Sequence, residues 1–143
     1  MPVNGIFGTT IELLGKTLDL RAQRQNLISA NLANVETPGY TPNDISFESQ
    51  LKSALKKGGA PTHTPNSRHI PLKGTGGGGP SALELVTGQM IELPAKSSGP
   101  DGNGVEMESE MGRMAENQIM YNASVQLLTK KFEMMKQAIR GTL

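Results

Sequence analysis

Short stretches of this 143-residue chain carry residue types that could bind a ligand or do chemistry. Gly15-Lys16-Thr17 has the form of the end of a phosphate-binding loop. That loop also needs a glycine five residues before Gly15, where Thr10 stands, and Ile11 to Leu14 read as helix rather than as a cradle of backbone amides. Asp101-Gly102-Asn103 opens like a calcium loop. Its fifth position is Val105, with no side-chain oxygen, and its sixth is Glu106 where glycine is required. Asn103 followed by Glu106 reads better as a helix capping box, with Asn in place of Ser or Thr. His63 and His69, the only histidines, lie in a proline-rich stretch without a cysteine, which is too little for a metal centre. The same stretch is expected to be the least ordered of the chain, so no grouping of serine, histidine and carboxylate follows. Asn122-Ala123-Ser124 is a glycosylation sequon in form only, since it falls within a helical pattern. No catalytic residue, cofactor site or metal site is expected, and the chain does not read as an enzyme.

Composition points the same way. Cysteine is absent, which excludes a disulfide framework, a thiolate zinc site and a cysteine nucleophile, and suits an oxidising compartment. Fourteen basic residues against 13 acidic ones leave no basic stripe, so nucleic-acid binding is not expected. No apolar run is long enough to span a membrane, and the start lacks the basic and apolar regions of a secretory signal. There is no Trp, with three Phe and two Tyr against 17 Gly. Large aromatics dominate the buried area of most cores. Their scarcity predicts burial spread along helices rather than gathered in a globule.

The elements that must position anything functional are two long terminal helices. From about Ile6 to Val35, apolar residues recur at Phe7, Ile11, Leu14, Leu18, Ile28, Leu32 and Val35, with Arg21 and Gln25 filling the same rhythm. A second row, Leu13, Leu20 and Leu27, repeats every seven residues. Two apolar rows are more than one partner helix needs, so this helix is expected to have more than one neighbour. From about Gly104 to Gly141 the rhythm is stronger: Met107, Met111, Met114, Gln118, Tyr121, Val125, Leu128, Phe132, Met135 and Ile139 read as a coiled-coil seam. Met120 and Met134 lie off that seam and are candidates for contacts between subunits. The centre holds most of the prolines and the glycine run from Gly74 to Pro80. A short helix is expected over Ile45 to Lys57, with Phe47, Leu51, Ala54 and Leu55 on one face, and a strand within Ala82 to Leu93. The predicted fold is all-α: a coiled-coil-like, antiparallel pair of terminal helices around a Gly/Pro-rich, partly disordered centre. The expected divisions are 1–40, 41–103 and 104–143, and extra apolar rows would be left for other subunits.

The first helix should stop near Thr37, because Pro38 disfavours helical backbone there. Pro38-Gly39 is the pair of a type II turn, Asn31 and Asn34 sit where their amides can bond free carbonyls or a neighbouring chain, and Tyr40 suits a contact between elements. Ala30-Asn31-Leu32-Ala33-Asn34 followed by Thr37-Pro38-Gly39-Tyr40 resembles the N-terminal signature of flagellar rod and hook proteins. Asp101-Gly102-Asn103-Gly104-Val105, Ala115-Glu116-Asn117-Gln118, Tyr121 and Leu127-Leu128-Thr129-Lys130-Lys131-Phe132 resemble the C-terminal region of a short proximal rod protein of that family.

That resemblance implies a structural subunit of the proximal rod of the flagellar basal body. It implies export by the flagellar type III apparatus without a cleaved signal, a periplasmic place at the MS-ring/rod junction, and helical assembly with copies of itself and with other rod proteins. Torque would pass from motor to hook through the terminal helices, with no membrane insertion. The signature residues Ala30, Asn31, Ala33, Asn34, Thr37, Pro38, Gly39 and Tyr40 and the helical seam would carry assembly. A cytoplasmic helical adaptor or flagellar export chaperone is the alternative from another class.

Overall fold

The computed structural model describes residues 8–56, 82–94 and 102–141. Ile6, Phe7, both histidines, the glycine run and Asp101 lie outside them. Among the described residues, three helices and one small sheet occur in the order α1 (Thr9–Ala33), β1 (Asn43–Ser46), α2 (Glu48–Lys56), β2 (Gln89–Glu92) and α3 (Met107–Arg140). The two long helices pack antiparallel. Asn31 near the end of α1 meets Glu110 near the start of α3, and Gln25 and Arg21, further back on α1, meet Asn117, further along α3.

The chain stops α1 as its sequence requires. The Asn34 N–H bonds the carbonyls of Ala30 and Asn31, and Asn34 Nδ2 donates to the Ala30 carbonyl at 2.8 Å, satisfying the orphan carbonyls of the last turn. Thr37-Pro38-Gly39-Tyr40 then closes a turn through the Tyr40 N–H and Thr37 carbonyl, with Gly39 at φ 70° supplying the positive dihedral. Helix α3 places Glu108 and Glu110 in its first turn and Arg140 in its last, both favourable to its dipole. It ends on Gly141 in the left-handed region, whose N–H bonds the Gln137 carbonyl.

The hydrophobic core differs from the sequence expectation. It is gathered, and the centre supplies most of it: Ile45, Phe47, Leu51, Leu83 and Val86 bury themselves around Leu20, with Leu13, Leu27 and Ala54 packed against them. The second apolar row of α1 is thus covered by the chain's own centre rather than left for another subunit. The reason is a short supersecondary unit. β1 pairs antiparallel with β2, Ile45 opposite Met90, and α2 follows Phe47 directly. Both expected central elements exist in shorter form, since Ile45 belongs to β1 and the strand begins only at Gln89. The single Phe of the core does the work of many, being fully buried between the helix and the small sheet.

Gly88, at φ 75°, lets β2 approach this core. A Cβ there would stand 2.6 Å from Ile45 Cδ1. Gly88→Ala is therefore expected to cost about 2–4 kcal/mol, overpacking added to a left-handed backbone. Gly39→Ala, whose Cβ would meet nothing, should cost about 1–2 kcal/mol. Urea denaturation followed by circular dichroism would rank the two.

Candidate assembly site at the helix seam

The expected seam residues do not form one contact line. The row of α3 that faces α1 is polar: Glu110, Asn117 and Ser124, seven residues apart, are its buried residues. Met114, Tyr121, Leu128 and Met135 flank that row and are half-buried. Met107, Met111, Val125, Phe132 and Ile139 are exposed, Ile139 to 81%. The apolar rhythm was expected to mark the internal contact, but the opposite face of α1 presents Arg21, Gln25 and Asn31, and polar residues meet polar residues. At 100° per residue, two exposed apolar rows then border the contact. Met120, Leu127 and Met134 lie to one side, Met111, Val125, Phe132 and Ile139 to the other.

Asn31 is the centre of the seam. It is 1% exposed, and every hydrogen-bonding position of its amide is used. Nδ2 donates to the Asn43 carbonyl at 2.8 Å and to Glu110 Oε2 at 2.9 Å. Oδ1 accepts from the Asn43 N–H at 3.0 Å and the Tyr40 hydroxyl at 3.3 Å. One side chain therefore joins α1, β1, the turn and α3. Beside it, Asn103 Nδ2 donates to the carbonyls of Asn34 and Val35, and the Gly104 N–H donates to the Tyr40 carbonyl at 3.0 Å. The capping box expected of Asn103 and Glu106 does not form. Glu106 is the N-cap, without a side-chain cap bond, and Asn103 is spent on the end of α1 instead. Asn34 Oδ1 accepts from the Thr37 hydroxyl at 3.1 Å, which holds the turn.

A charged cluster continues the seam. Arg24 Nε lies 3.0 Å from Asp44 Oδ1, and its Nη1 donates to Glu48 Oε1 at 2.8 Å. Its Nη2 also donates to the Ile45 carbonyl. The Arg24 guanidinium stacks over Phe47, 4.7 Å from the ring centre. Arg113 of α3 reaches Glu110 at 3.6 Å and Asp44 at 3.9 Å. Burial pushes the Glu48 carboxyl up, but its own backbone N–H, the Arg24 side chain and the Phe47 N–H together hold it below the ordinary range. The Arg21 guanidinium is pushed down by burial, and further by Arg24, against the pull of Glu48 and Glu116.

Of the signature residues, the structure thus brings Asn31, Asn34, Thr37, Gly39 and Tyr40 into one hydrogen-bonded turn, while Ala30, Ala33, Thr37, Pro38 and Gly39 are exposed around it. Sequence reasoning did not find the partners Asn43, Asn103, Glu110 and Asn117. The heptad spacing of Glu110, Asn117 and Ser124 opposite the rhythm-breaking Arg21 and Gln25 was the available signal. Among the described residues there is no cluster that could hold a metal, and no helix is long and apolar enough to cross a membrane.

Residues 11–41 match the family described as flagella basal body rod protein. The flagellar basal body rod protein FlgB of Salmonella typhimurium is 33% identical over 131 residues, covering 88% of this chain and 89% of its own. FlgB of Escherichia coli K12 is 33% identical over 132 residues, with the same coverage. FlgB of Cereibacter sphaeroides is 35% identical over 126 residues, 88% of this chain and 90% of its own.

Two outcomes follow from this geometry. Asn31→Ala leaves buried groups of Asn43 and Glu110 without partners and should cost about 2–4 kcal/mol in urea denaturation, with m unchanged. Glu48 has a depressed folded pKa, so its stabilisation is complete above its unfolded value of about 4.3 and is lost as pH falls through the folded value. Thermal melts between pH 7 and pH 3 should show a shallower acid decline in Glu48→Gln than in the parent.

Proposed function

Because the chain belongs to the FlgB family of flagellar basal body rod proteins, a structural family and not an enzyme family, we propose that it is a subunit of the proximal rod. In this reading residues 1–40 and 104–143 are the assembly segments and 41–103 connect them. The subunits pack helically with copies of themselves and with other rod proteins, on the MS-ring/rod junction. The flagellar type III apparatus delivers them to the periplasm without a cleaved signal peptide. The observation that carries the assembly role is the pair of exposed apolar rows on α3. A helix satisfied by one internal partner shows one apolar stripe, buried. Here the internal partner takes a polar row and leaves apolar rows on both sides.

Neighbouring helices seated on those rows, Met111/Val125/Phe132/Ile139 and Met120/Leu127/Met134, would convert rotation of one subunit into displacement of the next. Sliding would unseat side-chain knobs from their holes, and this is how the rod would pass torque from motor to hook. The exposed part of the signature turn, Ala30, Ala33, Thr37, Pro38 and Gly39, offers small side chains where a neighbour can approach α1 closely.

Basal bodies purified from the source bacterium should contain the chain by mass spectrometry, and a chain confined to the cytosol would overturn the reading. Leu127→Lys and Phe132→Lys should leave the thermal melt of the isolated subunit within about 0.5 kcal/mol of the parent, as exposed substitutions do. In cells the same two changes should abolish swimming and rod formation.

A further inference from the structure

Arg21 is the anomaly of the seam. It is 8% exposed, yet among the described residues it forms no ion pair and its side chain makes no hydrogen bond. Its Nε is buried without a partner, and its guanidinium lies over Phe47, 5.7 Å to the ring centre. A buried, unpaired cation is costly, and burial is usually accompanied by a counter-charge. The nearby carboxylates are otherwise engaged: Asp44 by Arg24 and Arg113, Glu48 by Arg24. Glu48 and Glu116 attract Arg21, but neither forms an ion pair with it.

Arg21 does not face a closed interior. It lines a recess between α1, β1, the start of α2 and α3, in which Arg24 and Arg113 are ion-paired to Asp44 and Glu48, and Glu116, Asn117 and Met120 complete the wall. Met120 belongs at the same time to the exposed row Met120/Leu127/Met134, which is 46%, 58% and 56% exposed. The recess and the apolar row form one continuous surface.

We propose that this surface is the seat of a partner helix whose apolar residues cover Met120, Leu127 and Met134 and whose aspartate or glutamate, about one turn away, enters the recess and pairs with Arg21. The inference rests on the rod reading and names the chemistry of one neighbour. The carboxylate gives Arg21 the direct ion pair that the isolated subunit lacks, so the subunit is less stable alone than its fold allows and gains when assembled. An Arg–carboxylate pair formed at the edge of an apolar contact also fixes the register of that contact, since its two parallel hydrogen bonds admit one geometry.

Arg21→Met separates this role from a structural one. Met has similar length and packs over Phe47 without a charge to desolvate. The variant should melt a few degrees higher than the parent as an isolated subunit, and its incorporation into basal bodies should fall at least about tenfold. A lower melting temperature, or undiminished incorporation, overturns the proposal. Glu116→Gln should leave the melt of the isolated subunit unchanged, whereas a drop would make Glu116 the internal partner and remove the need for an external one. A photo-reactive benzoylphenylalanine at Met120 should capture, in flagellated cells, a peptide with Asp or Glu within a turn of the linked residue. A captured peptide without one refutes the pairing. Absence of the parent chain from basal bodies would instead defeat the rod reading, and the two melts would still decide whether Arg21 is a structural residue.

Discussion

The structure depends on one buried amide. Asn31 has two donors and two acceptor positions in a place that water does not reach, and an unpaired polar group there would cost about as much as a lost hydrogen bond. The chain satisfies all four from three directions: the backbone of β1, the hydroxyl of Tyr40 and the carboxylate of Glu110. Those partners are consistent with only one arrangement of the helix end, the turn, the strand and the second helix. A Leu at the same position would bury as well and specify far less, because apolar contact is indifferent to direction.

Around that point α1 serves two different surfaces. Leu13, Leu20 and Leu27 close the small core of β1, α2 and residues 83–86, and this apolar contact supplies the non-directional stabilisation. The face bearing Arg21, Gln25 and Asn31 supplies the hydrogen bonds that place α3. Arg24 bridges the two, ion-paired to Asp44 and Glu48 and stacked on the central Phe47. The division explains how a chain with three Phe and no Trp keeps a defined fold: one buried Phe, Phe47, anchors a small aliphatic core, and hydrogen bonds rather than bulk place α3.

The terminal helices, their antiparallel pairing and the type II turn were legible because each rests on local rules: periodicity, a proline that ends a helix, a glycine that takes a positive dihedral. The central core was not. Its residues come from segments on both sides of a glycine-rich stretch, and no local pattern says that Leu83 and Val86 return to Leu20. The seam was half legible. Apolar rhythm finds helical faces, but it cannot say which face a partner takes, and at Glu110 and Asn117 the polar residues between the apolar rows made the contact. Asn103 shows the same limit: its spacing to Glu106 favours a local cap, and a bond to carbonyls 68 and 69 residues away in sequence won instead.

The amide key also has a mechanical meaning. Apolar side chains oppose slips large enough to unseat knobs from holes, but their attraction is non-directional and changes little over a fraction of an ångström. Hydrogen bonds of 2.8 to 3.0 Å at Asn31 weaken steeply over the same displacement. The junction of α1 with α3 is accordingly a detent near one end of the pair, stiff against axial slip at Asn31. Such a pair holds its register under axial strain.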